Sequence, residues 1–146
     1  DVSTLTKSSA KSIHNNALSH LHAIILCTNK PEETIARYCW LTNRSSPRRI
    51  FGSSWQLGLG QQKIIVCSKE DVERIVPNVN ITNLPSILGY ALLTESISKT
   101  KDCFSYNELL LQPLNQGSFL LKFPDFISGN LIIGTSFAAF PWNDLN

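Results

Sequence analysis

Few side chains in this sequence can do chemistry at neutral pH. The histidines are His14, His20 and His22, and the cysteines are Cys27, Cys39, Cys67 and Cys103. His20 and His22 stand two apart. A helix would turn them to different faces, whereas a strand would place them on one face, where a third ligand could complete a metal site. That segment holds no acidic residue and the chain has no C-x-x-C pair, so no metal site and no zinc centre of the usual spacing is expected. His20 or His22 could pair with Cys39 or Cys67 as base and nucleophile, because partners in such pairs are distant in sequence. This is the basis of a small-enzyme reading. Nothing local marks any thiol as activated, so no catalytic residue is assigned. Cys27 and Cys67 each close an apolar run and read as buried thiols, which favours an intracellular over a secreted chain.

Gly58-Leu59-Gly60-Gln61-Gln62-Lys63 superficially resembles a phosphate loop. A working one follows a strand and opens a helix; these glycines precede a strand, and Lys63 is followed by Ile64 rather than Ser or Thr. A hairpin turn is the expectation, and no nucleotide or other cofactor is assigned. The acidic pairs Glu32-Glu33 and Glu70-Asp71 sit at expected helix starts, where the helix dipole accounts for them.

Charge is unevenly spread. Residues 1–49 carry seven Lys/Arg against three Asp/Glu, and residues 50–146 carry six against eight. The basic part ends in Arg44, Arg48 and Arg49, near Trp40 and Trp55. Arginines neutralise phosphates and aromatics stack on bases, so these five residues define a nucleic-acid-binding alternative. Against it, the sequence pI of about 8.4 lies below that of dedicated nucleic-acid domains.

The 146 residues suit one domain, and a hydrophobic fraction of 42% supplies a core. The chain contains no apolar run of transmembrane length and no sustained heptad. It begins at Asp1 and lacks Met, so a processed product or a fragment is expected. Phe119, Phe123, Phe126, Phe137, Phe140 and Trp142 crowd its end. They read either as core or as an apolar patch covered by another protein subunit. The leading functional expectation follows from the second option. It is a non-enzymatic interaction domain, an adaptor or subunit of a larger complex, that contacts its partner through Phe137, Phe140 and Trp142.

The elements that would position these groups read as follows. Residues 1–12 form a flexible terminus, and 13–146 a single domain. Apolar residues at 13, 17, 18 and 21 suggest a helix, and Pro31-Glu32-Glu33 opens another. Residues 50–67 suggest a hairpin whose second strand is Lys63–Cys67. Ser68 and Asn83 can each cap a helix, the latter carrying Ile87, Leu88, Ala91 and Leu92 inward. Ser98–Cys103 reads as a loop, Ser105–Leu111 as a short helix with Glu108 completing a capping box, and Ser118–Phe123 and Asn130–Phe140 as strands. No repeat of 20–50 residues is visible. The sum is an α+β fold with mixed helices, a central hairpin and a strand-rich C-terminal third.

Overall fold

A computed structural model describes residues 16–79, 81, 83–106, 109, 111–114, 117–124 and 129–143. The terminus expected at 1–12, together with His14, Glu108 and Phe126, lies outside the described residues.

The chain alternates strands and helices in two matching series. The first is β1 (Leu18–Cys27), α1 (Pro31–Thr42), β2 (Arg48–Arg49), β3 (Trp55–Leu59) and β4 (Gln62–Cys67). The second is β5 (Ser86–Thr94), α2 (Ile97–Tyr106), β6 (Gln112–Pro113), β7 (Phe119–Lys122) and β8 (Asn130–Gly134). All eight strands join one mixed sheet in the order β2-β3-β4-β1-β5-β8-β7-β6. Within each series the first and last strands pair in parallel, β1 with β4 and β5 with β8, and the others pair antiparallel. The series meet at the antiparallel pair β1–β5, where Ala23 faces Ala91. The molecule is therefore a structural repeat whose unit, from Leu18 to Ser86, is longer than a repeat of 20–50 residues.

This corrects the fold expectation. The protein is a sheet-dominated structure with two helices on a single eight-stranded sheet. It is not an α+β domain of mixed helices with a central hairpin and a strand-rich C-terminal third. Two misread segments account for most of the difference. The start of the helix-like stripe at 13–21 lies outside the described residues, and its later part, from Leu18, is strand β1. The helix expected after Asn83 is strand β5. Buried between β1 and β8, β5 needs no polar alternation, so its apolar positions imitate a helical stripe. Conversely, the polar stretch around Ser98 is helix α2, anchored by the buried Thr100, whose hydroxyl lies 2.7 Å from that of Thr94. Other expectations match the structure. α1 starts at Pro31 with acids in its first turn, and the hairpin β3–β4 turns at Gly60-Gln61.

Side chains on the two faces of the sheet build two cores. On one face α1 lays Ile35 and Tyr38 over Leu57, Ile64 and Val66. On the other, Ala23, Ile25, Cys27, Ile65, Cys67, Leu88, Ala91, Leu120 and Ile132 form a larger core. That core is closed by two crossing segments. The stretch after β4, including a 3-10 turn at Lys69–Arg74, contributes Val72, Ile75 and Val76. It reaches the second series, where Lys122 Nζ donates to the Pro77 and Asn78 carbonyls at 3.2 Å. The stretch after β8, with 3-10 turns at Phe137–Ala139 and Pro141–Asn143, contributes Phe140 and Trp142 and crosses to the first series. Gly134 lets this tail pack, since a Cβ there would press on Ala139 and Phe140. At the start of the same strand, Asn130 donates from its amide to the Leu88 carbonyl at 2.8 Å, tying β8 to β5.

Candidate functional site: the His22 and Lys63 cleft

His22 stands where β1 departs from regular pairing. Leu21 faces Leu92 and Ala23 faces Ala91, leaving His22 as the extra residue of a bulge, a device that re-aims a side chain. Its ring is 2% exposed and lies among the tail aromatics. Phe140 stacks on it at 4.8 Å between centroids, Trp142 stacks on Phe140 at 5.2 Å, and Phe137 lies against it at 4.9 Å. Trp142 Nε1–H donates to His22 Nε2 at 3.1 Å. An indole can only donate, so Nε2 carries the lone pair and the neutral ring must hold its proton on Nδ1. That Nδ1 is buried and has no partner among the described residues. Burial, reinforced by the nearby Lys63 ammonium, lowers the His22 pKa to about 4, so the ring is neutral at pH 7.

Lys63 sits one strand away, beside Ala23 in the β1–β4 ladder. It is partly buried, and its Nζ donates to Gln56 Oε1 at 3.0 Å and Asn143 Oδ1 at 3.3 Å. Both partners are uncharged. The ion pairs among the described residues are Lys30–Glu33, Arg37–Glu33 and Arg49–Glu32, none of which neutralises Lys63. Burial, and secondarily Arg48, lowers its pKa. Asn143 also donates to the Phe137 carbonyl, which ties the tail to the cleft wall.

These groups open on a cleft of about 860 Å³ lined by His20, His22, Gln62, Lys63, Phe137 and Asn143, with Gly60 and Gln61 at its rim. A volume of that size takes a small organic molecule. Chemically, the cleft holds a partly buried cation without a counter-ion, its ammonium bonded only to the neutral Gln56 and Asn143, and a buried N–H donor without an acceptor among the described residues. Such a pair suits an oxygen anion or a carbonyl oxygen.

The residues singled out from sequence scatter. His20 and His22 do lie on one strand, but His22 is buried and His20 exposed, its Nδ1 3.0 Å from Ser19 Oγ. Among the described residues no three His, Cys, Asp or Glu side chains converge as a metal site would require. Cys39 lies at the α1 side of the sheet and Cys67 in the larger core, and neither lines the His22 cleft. Phe140 and Trp142 are fully buried, and Phe137 is 51% exposed. Arg48 and Arg49 form the edge strand β2; Arg49 reaches Glu32 at 3.8 Å and covers the Trp55 ring at 5.5 Å. Arg44 is exposed just after α1, and Trp40 points outward at 83% exposure. Gly60, rejected as a phosphate loop, does turn a hairpin, but that hairpin rims the cleft. Gln56 was missed, and Lys63 was noticed only as the lysine of the rejected phosphate loop, at the start of an otherwise largely apolar strand.

No protein-family model matches the chain, and no curated protein matches it in sequence. Solved structures do match in shape. Methylmalonyl-CoA epimerase from Mycobacterium tuberculosis aligns over 88% of this chain and 96% of its own, with a TM-score of 0.61 at 8% identity. A hypothetical protein from Bacillus halodurans C-125 aligns over 78% and 91%, with a TM-score of 0.53 at 11% identity. These likenesses overturn the reading of the chain as a non-enzymatic adaptor or complex subunit, and they leave its nucleic-acid alternative unsupported. The rings invoked for a partner are largely spent on the molecule's own core, and Arg49 and Trp55 are engaged with each other. No helix among the described residues is long and apolar enough to cross a membrane. The chain therefore shares its β-rich fold with a methylmalonyl-CoA epimerase.

Proposed function

We propose that the protein is a small enzyme whose reaction centre is the His22 and Lys63 cleft, and that its substrate is a small organic anion with a carbonyl beside the charged group. One observation carries this reading: a half-buried ammonium without an anion lies next to a buried neutral imidazole whose N–H has no acceptor. Lys63 binds the anionic group. His22 Nδ1–H donates to the carbonyl oxygen and stabilises negative charge that develops there, as a neutral imidazole held in one tautomer can. Phe137, the half-exposed ring against His22, is the side chain whose displacement opens that N–H to the ligand. His20, on the same wall, supplies an imidazole to carry a proton to or from the bound molecule. The fold shared with an epimerase makes proton transfer the reaction class to test first.

The test uses pyruvate and malonate as probes. Calorimetry at pH 7.5 should give saturable binding, and Lys63→Met should weaken it by about 10- to 100-fold, the worth of a charged hydrogen bond. Nuclear magnetic resonance in D₂O should then detect protein-catalysed exchange of the protons next to the carbonyl, abolished in His20→Gln. Binding unaffected by Lys63→Met would overturn the assignment of the site. Binding without exchange would overturn the enzymatic part of the reading.

A further inference from the structure

Strand β1 carries a second bulge close to the one at His22. Leu18 faces Thr94 and His20 faces Leu93, so Ser19 is the extra residue there. The Ser19 hydroxyl donates to the Leu93 carbonyl at 3.3 Å, and His20 Nδ1 lies 3.0 Å from the same hydroxyl oxygen. A hydroxyl has one proton to give. The carbonyl brings only lone pairs, whereas a neutral imidazole nitrogen brings either a lone pair or an N–H. Both contacts are hydrogen bonds in one arrangement alone. Ser19 donates to Leu93, and His20 Nδ1–H donates to Ser19. The lone pair of the His20 ring then lies on Nε2.

From this relay we infer that Ser19 is a positioning residue that holds His20 in its Nδ1–H form and makes Nε2 the proton acceptor of the cleft. That role rests on the reading of the cleft as a reaction centre and names the atom that moves the proton. It also gives the two histidines opposite tasks. Trp142 donates to His22 Nε2, so the nitrogen left for a ligand is a donor, Nδ1–H. Ser19 accepts from His20 Nδ1, so the nitrogen left for a ligand is an acceptor, Nε2. The rings share a tautomer and differ in which nitrogen is occupied. One strand thus lines the cleft with an acceptor and a donor, the pair that proton removal beside a carbonyl requires.

In the forward step the Nε2 lone pair of His20 takes the proton from the carbon beside the carbonyl. The C–H electron pair becomes a C=C bond and the carbonyl π pair moves onto oxygen, where His22 Nδ1–H stabilises it. His20 becomes an imidazolium whose Nδ1–H stays on Ser19. In the reverse step Nε2 returns that proton, or a solvent deuteron exchanged for it, to the carbon. The carbonyl and the neutral imidazole are restored, and no further reactant is consumed.

The experiment records long-range proton–nitrogen spectra of the intact, nitrogen-15-labelled protein at about pH 9, where imidazoles are neutral. His20 signals are identified by their loss in His20→Gln. The expected spectrum places the unprotonated nitrogen of His20 at Nε2, the position at which free histidine prefers to keep its proton. Ser19→Ala should move the proton to Nε2 and slow the exchange of pyruvate protons in D₂O by about 3- to 10-fold, the worth of a neutral hydrogen bond. Ser19→Thr, which keeps the hydroxyl, should restore both. The wild-type spectrum decides the tautomer whether or not the Ser19 variants fold. A wild-type His20 with its lone pair on Nδ1 would overturn the inference, as would a tautomer unmoved in Ser19→Ala. The expected tautomer without any exchange in the wild type would support the hold of Ser19 on His20 and overturn the enzymatic reading instead.

Discussion

The two series of strands share a topology and differ in what they place at matching positions. Ala23 of β1 faces Ala91 of β5 across the seam, and each has a neighbour in its own parallel partner: Lys63 beside Ala23, Ile132 beside Ala91. One series thus holds an ammonium where the other holds a fully buried isoleucine. The bulge at His22 and the amide of Gln56 belong to the first series as well. Packing explains the sheet in both series, but it does not explain Lys63, since the second series builds the same sheet without a charge. A group that the architecture can omit is the one to suspect of function.

That contrast can be broken by exchanging the residues. Ile132→Lys would bury an ammonium in the large core, and a loss of more than about 4 kcal/mol in urea denaturation is expected, enough to unfold many domains. A loss below about 1 kcal/mol would mean that the second series tolerates charge as the first does.

The next effect concerns His22 and sharpens the difference between the series. Its native pKa of about 4 lies below the unfolded 6.5, so between these values the unfolded chain takes the proton first. Stability is full above pH 6.5 and falls as the pH drops towards 4, by up to about 3 kcal/mol. Protonation also turns Nε2 into a donor facing the Trp142 N–H, so the tail should loosen first. Tryptophan fluorescence and urea midpoints at pH 7.5 and 4.5 check this, with His22→Gln as the variant that should flatten the dependence. An equally steep dependence in that variant would remove His22 from the account.

The smallest expected effect is the most informative about function. Lys63→Ile gives the first series what the second already has, so stability should move by less than about 1 kcal/mol while binding of pyruvate or malonate is lost. A large destabilisation would make Lys63 a structural residue instead.

How much of this was legible in the sequence varied by element. Helix α1 was, because Pro31 and two acids mark its start in any context. The β3–β4 hairpin was, because Lys63–Cys67 is apolar and β-branched and follows a glycine turn. Strand β5 was not, since an interior strand covered on both sides loses the alternation that distinguishes strand from helix. The repeat was hidden for the reason that makes it interesting: its halves conserve pairing and not residue type, as Lys63 and Ile132 illustrate. The site was the least legible. His22 could be named but not placed, because its tautomer depends on Trp142, distant in the chain. Lys63 attracted notice only as a lysine that fails to make a phosphate loop.

The sheet ends in two very short strands, β2 and β6. An open eight-stranded sheet has two rows of unpaired backbone groups, either of which could template pairing with another chain. Among the described residues one margin is Arg48-Arg49, two exposed charges, and the other Gln112-Pro113, where proline has no N–H to offer. Both are devices that keep sheets from growing edge to edge. The arginine pair that drew attention as a nucleic-acid contact thus has a plainer consequence. It guards solubility, and apolar replacements there should be felt first as aggregation on expression and concentration, before any change in fold.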